Sequence, residues 1–201
     1  MQTIETKLFN PILKRAKKAM NRPTLTTPHY DKDKGELVAT DGKVLVVVLT
    51  KSAPQGDYIT PKTKDLTYPN YKQVIPGYRK GCIPYMAGDK YVTVDYKNIR
   101  PQIKQALAVM KGGKEIGADC HFIKDKLQLC CCNMDIASMH HNQANKDNYM
   151  IHLNIKFISE IVMMFHKLKE NTFKLYVTDE LSLAVLVGVK MYAVIMPMRK
   201  N

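Results

Sequence analysis

The chain has 201 residues and 45% apolar content, enough for one large domain or two small ones with a real core. Thirty-one Lys and Arg against 18 Asp and Glu leave a net charge of +13, which favours an anionic partner, nucleic acid first. No apolar run reaches the roughly 18 residues of a membrane span, and Met1-Gln-Thr-Ile-Glu-Thr-Lys7 lacks the basic-then-apolar pattern of a signal peptide. A cytoplasmic protein without membrane contact is expected.

A strand-like segment, Thr3 to Lys7, leads to a first predicted helix, Pro11 to Met20. Asn10 reads as its cap and Pro11 as its first helical residue. Phe9, Ile12, Leu13, Ala16 and Met20 make an apolar stripe, while Lys14, Arg15, Lys17 and Lys18 cover the rest. Strands are predicted at Glu36 to Ala39 and Val44 to Leu49, joined by the Asp41-Gly42 turn. Residues 52–90 hold many prolines and glycines and read as a connector. Its middle, Tyr68-Pro-Asn-Tyr-Lys-Gln-Val-Ile-Pro76, is too apolar for a loose linker and should lie packed and extended.

A strand at Tyr91 to Asp95 precedes a second helix, Ile99 to Lys111, with Pro101 confined to the first turn and Gly112-Gly113 ending it. Ile99, Ile103, Leu107 and Met110 share one face, with Arg100, Lys104 and Lys111 elsewhere. Strands follow at His121 to Lys124, Leu127 to Cys132 and Tyr149 to Leu153. His140-His141 and the polar stretch after it read as a loop. A third helix, Ile155 to Leu168, is capped by Asn154. Ile158, Ile161, Val162 and Phe165 form its stripe, and Lys156, Lys167 and Lys169 are exposed. The last strands are Phe173 to Thr178, Ser182 to Val187 and Met191 to Met196, with turns at Asp179-Glu180 and Gly188.

Each helix thus follows a strand and precedes two or three more. This is one strand–helix–strands unit repeated three times, an α+β arrangement with helices on one face of antiparallel sheets. Every helix would bury its stripe and turn a basic face outward, a surface suited to a phosphate backbone. With no base-reading motif, binding to double-stranded DNA would be non-specific.

The five cysteines, Cys82, Cys120, Cys130, Cys131 and Cys132, are odd in number and not spaced as metal pairs, so they read as buried thiols. The histidines show no ligand spacing. No Gly-rich phosphate loop, G-x-S-x-G or paired carboxylates occur. No enzyme, metal or cofactor is expected.

Three segments together resemble the bacterial sliding clamp, the beta subunit of DNA polymerase III. Ala39-Thr-Asp-Gly-Lys-Val-Leu45 is similar to the clamp's A-T-D-G-H-R-L turn. Tyr68-Pro-Asn-Tyr-Lys-Gln-Val-Ile-Pro76 is similar to its F-P-D-Y-R-R-V-L-P connector. Val194-Ile-Met-Pro-Met-Arg199 is similar to its C-terminal V-V-M-P-M-R. The resemblance implies the DNA-clamp fold at about one and a half clamp domains. Residues 1–66 would be a half domain matching the first half of clamp domain 2, 67–84 the connector, and 85–201 a full domain matching domain 3. The family closes its ring through a first domain absent here, so a ring would need a homo-oligomer.

The family docks peptides from polymerases and other proteins in an apolar pocket between its second and third domains. By resemblance, Thr40, Gly42, Val44 and Leu45 form one wall. Pro69, Gln73 and Val74 come from the connector, and Leu183, Val194, Met196, Pro197, Met198 and Arg199 from the other side. Val44 and Gln73 stand where the family often has arginines. The resemblance implies a processivity or replication accessory factor that tethers partners at DNA. The alternative is a non-encircling interaction protein, or decoy, that competes for clamp-binding peptides.

Overall fold

The computed structural model of the chain describes residues 4–19, 22–60, 67–78, 80, 82, 84, 91–111, 117–123, 126–131, 134–140, 149–177 and 183–198, with the backbone alone for 109–149. Thr3, Met20, Gly112, Gly113, Lys124, Cys132, His141, Thr178, Asp179, Glu180, Ser182 and Arg199, named in the sequence reading, lie outside the described residues, as do the side chains of Met110, Lys111, Cys120, Cys130 and Cys131. The chain divides into two compact units, 1–86 with 189–194, and 87–188 with 195–201.

In the first unit the described residues 4–7 do not form the strand expected over Thr3 to Lys7. Glu5 makes one parallel bridge with Gln55, and Thr6–Phe9 then coil into a 3-10 turn. The turn carries Leu8 and Phe9 inward ahead of α1 (Asn10–Lys18). Asn10 is therefore the first helical residue rather than the cap, and the 3-10 turn leads the chain into the helix. The stripe is as the periodicity demands: Phe9, Ile12, Leu13 and Ala16 are buried. Complete burial of Phe9 and Ile12 contributes about 2 kcal/mol each by transfer from water.

The sheet of this unit runs in the order β1 (His29–Asp31), β2 (Glu36–Thr40), β3 (Val44–Leu49), β11 (Met191–Ile195). β1, only 3 residues of His-Tyr-Asp, offers no alternation to read and was not predicted. Its outer edge is occupied: Tyr30 N–H donates to the Ile59 carbonyl, and Ile59 N–H to that of Pro28, each at 2.8 Å. β2 and β3 pair antiparallel with Thr40 opposite Leu45. Between them Asp41 Oδ1 accepts from the N–H groups of Lys43 (2.9 Å) and Val44 (2.8 Å). Gly42 takes φ +87°, a left-handed value that side chains disfavour.

The second unit opens with β4 (Tyr91–Asp95) and α2 (Tyr96–Lys111). The helix starts at Tyr96 rather than Ile99. Asp95 Oδ1 caps it, accepting from Lys97 N–H at 2.8 Å and Asn98 N–H at 3.3 Å. Pro101 consequently sits in the second turn, not the first. A four-stranded antiparallel sheet follows in the order β7 (Met134–His140), β6 (Lys126–Cys131), β5 (Gly117–Ile123), β8 (Tyr149–Asn154). β7 corrects the loop reading at His140, which pairs with Lys126. Its Asp135, Ala137 and Ser138 carry little strand propensity, which hid it.

α3 (Ile155–Lys167) is capped as expected, Asn154 Oδ1 accepting from Lys156 N–H at 3.0 Å. Its buried face includes Ile155, Phe157 and Met164 beside the expected stripe. The helix ends in a paired-bond cap: Glu170 N–H donates to the Phe165 carbonyl (3.0 Å) and Lys169 N–H to that of His166 (2.9 Å). β9 (Thr172–Tyr176) then pairs with β4 and with β10 (Ala184–Val187), in the order β10, β9, β4.

Candidate functional site: basic helix faces and the connector

On α1, Lys14, Lys17 and Lys18 are exposed, as an amphipathic helix requires. Arg15 differs. It is half-buried, and its Nε donates to Asp41 Oδ2 at 2.5 Å. On α2, Arg100 and Lys104 are exposed, and so is Lys97, which the sequence reading passed over. Lys156 and Lys167 are exposed on α3. The Arg100 guanidinium stands 5.7 Å from the Tyr96 ring, and Tyr96 stacks on His166.

The expected docking residues divide between the units. Thr40, Gly42, Val44, Leu45, Pro69, Gln73, Val74 and Val194 belong to the first. Of these, Val44, Leu45 and Val194 are buried in strands, Thr40 is half-buried, and Gly42, Pro69 and Gln73 are exposed. Val74 leaves 50% of its surface open, unusual for a valine. Leu183, Met196, Pro197 and Met198 belong to the second unit. There Met196 is 50% exposed, and Met198 N–H donates to the His152 carbonyl of β8 at 2.8 Å.

The connector is packed, as its apolar content implies, but not extended: Tyr71–Val74 form a 3-10 turn. Two phenols fasten it to a carboxylate that sequence reasoning missed. Glu36, at 0% exposure, accepts from Tyr71 OH at 2.5 Å and from Tyr78 OH at 3.1 Å to either oxygen. Burial, then the bond to Glu36, drives the Tyr71 phenol far above its ordinary range. Burial and the Glu36 charge push Tyr78 up to about 12. Burial raises Tyr68 and Tyr192 as well. Tyr68 stacks on His29, centroids 4.9 Å apart. Burial lowers the His29 pKa, and its Nδ1 has no hydrogen-bond partner.

Cys82 is an exposed free thiol, not a buried one. Among the described residues no His, Cys, Asp and Glu side chains gather as a metal site. None of the described helices is long and apolar enough to cross a membrane.

No protein-family model matches the sequence, and no curated protein matches it. Solved structures do. The C. crescentus beta sliding clamp superposes with a TM-score of 0.69 at 15% identity, over 97% of this chain and 63% of that one. The Bartonella birtlesii clamp bound to griselimycin gives 0.68 at 16%, over 97% and 64%. The DNA polymerase III subunit beta of Pseudomonas aeruginosa gives 0.67 at 17%, again over 97% and 64%. The fold is that of the bacterial sliding clamp. This clamp-fold chain spans less than two thirds of the length of those clamps. The α+β class read from the sequence agrees with this fold, and the strand–helix–strands order holds around α2 and α3, while α1 follows a 3-10 turn instead of a strand.

Two features of the clamp fold here had a readable signal. Lys97, Arg100 and Lys104 recur at helical spacing, and Asp95 precedes that run as a cap. The pairings of Tyr96 with His166, Arg15 with Asp41 and Glu36 with Tyr71 had none, because each joins residues tens of positions apart in the chain.

Proposed function

We propose that this chain is a clamp-type accessory factor for DNA replication that binds duplex DNA without sequence preference and docks peptides of a DNA polymerase or another partner. The observation that carries it is the clamp fold combined with a +13 charge, with lysines exposed on each of the three described α-helices. Lys14, Lys17 and Lys18 on α1, Arg100 and Lys104 on α2, and Lys156 and Lys167 on α3 are the proposed phosphate contacts, with Lys111 at the end of α2. Exposed Val74 supports peptide docking on the first unit, beside Pro69 and Gln73 of the connector. The action is tethering: it raises the local concentration of a partner at DNA and needs no chemistry.

A second reading is a non-encircling competitor for clamp-binding peptides, favoured by the exposed Val74 side chain of the connector, which peptide docking alone accounts for. Retention on circular duplex DNA separates the two. Protein that stays on a closed circle at high salt and leaves when the circle is cut is a topological clamp. Peptide binding by a chain that never remains on the circle is the competitor.

A further inference from the structure

Tyr96 opens α2, and its ring lies flat on His166 of α3, with centroids 3.9 Å apart and planes within 2°. Both rings are fixed from behind. Tyr96 N–H donates to the Asn171 carbonyl at 2.7 Å, and His166 Nδ1 meets Asn171 Oδ1 at 3.3 Å. Tyr96 OH donates to Met163 Sδ at 3.4 Å. Lys169, at φ +60°, turns the chain just before Asn171. One helical turn along α2, the Arg100 guanidinium carbon stands 5.7 Å from the Tyr96 ring, within cation–π range. Tyr96 is buried, whereas Arg100 and His166 are exposed. Lys97, Arg100 and Lys104 fall within an arc of about 60° on the same helix.

We infer that the Tyr96–His166 stack is a positioning platform that holds Arg100 ready for a DNA phosphate, making the Lys97–Arg100–Lys104 stripe the main duplex contact of the second unit. The inference rests on duplex binding by this chain. A free arginine loses rotamer freedom when it meets a phosphate, and one already resting on a ring loses less. The ring attracts the guanidinium charge at 5.7 Å, and a guanidinium's fork of N–H donors matches phosphate oxygens. The ring itself carries no net charge, so replacing it leaves the number of charges unchanged.

Anisotropy of a labelled duplex titrated with the full chain across a salt series tests this. Arg100→Ala is expected to weaken binding about tenfold near 0.1 M salt and to reduce the slope of log K against log salt by about 1. Tyr96→Leu should do the same without removing a charge, and Tyr96→Phe should restore wild-type values. The double variant Tyr96→Leu/Arg100→Ala should be no weaker than Arg100→Ala. A folded Tyr96→Leu with the wild-type slope, or additive losses in the double variant, overturns the platform. Should Tyr96→Leu not fold, His166→Ala at an exposed position carries the same expectation and the same refutation. Binding that responds to Lys14→Ala and Lys17→Ala but not to Arg100→Ala overturns the platform alone. A wild-type chain that does not bind the duplex at any salt overturns the DNA-binding reading as well.

Discussion

Arg15 of α1 is bound to Asp41 in the β2–β3 turn, Nε to Oδ2 at 2.5 Å, with the carboxylate almost wholly buried. The same carboxylate holds the N–H groups of Lys43 and Val44 with its other oxygen. One side chain therefore shapes the turn and fastens the helix to it.

Asp41→Ala should accordingly cost more than Arg15→Ala, because it releases the turn amides along with the guanidinium. About 2–3 kcal/mol against about 1 is expected, read from urea midpoints. Since Asp41 offsets the Arg15 charge, Arg15→Ala should alter the salt dependence of DNA binding less than Lys14→Ala does. Equal effects would place Arg15 on the DNA.

Glu36 is a buried carboxylate held by two phenols. Tyr71→Phe removes one donor and should destabilise the first unit by about 2 kcal/mol. It should also raise proteolysis within residues 67–78, which the bond pins. Loss of stability without new cleavage there would show that the connector is held by its apolar contacts alone.

His29 carries a pH dependence. Its folded pKa lies below the ordinary imidazole value because burial disfavours the charged ring. The unfolded chain thus binds a proton that the folded chain resists. Stability is full above about pH 6.5 and falls as pH drops from there toward the folded pKa. Melting temperatures measured between about pH 7.5 and 5.5 should decline, and His29→Gln should flatten that decline. An unchanged slope in the variant would assign the effect to other groups.

Lys169 occupies a left-handed position at the C-terminal cap of α3, φ +60°, where glycine is the usual residue. Lys169→Gly should stabilise the protein by about 1 kcal/mol. Gly188 presents the opposite case. A Cβ there would stand 1.8 Å from Glu170 Oε2 and 2.7 Å from Phe165 Cε1. Gly188→Ala should cost roughly 2 kcal/mol or more, and thermal unfolding of both variants checks the pair.

Helix faces were legible because period and burial coincide: Ile12, Leu13 and Ala16, or Ile158, Ile161 and Phe165, could be assigned from spacing alone. Strands of branched residues such as β3 were equally clear. β1 and β7 were hidden, being short or built of polar and small residues whose strand character comes from their neighbours. Basic candidates could be named, but not sorted. Lys14 and Arg15 are adjacent in sequence, and only the fold makes one a solvated charge and the other half of an ion pair. Buried polar anchors such as Glu36 are the hardest to foresee, since a glutamate reads as surface until its distant tyrosines arrive.

The bonds that Ile59 makes to Tyr30 and Pro28 bear on how the protein behaves when crowded. A bare sheet edge is a template on which another chain can add a strand and seed aggregation. Here the edge amide of Tyr30 is already spent on the chain's own backbone, so the first sheet is closed to growth at that point. The protein can therefore be concentrated without strand-by-strand association at that point of β1.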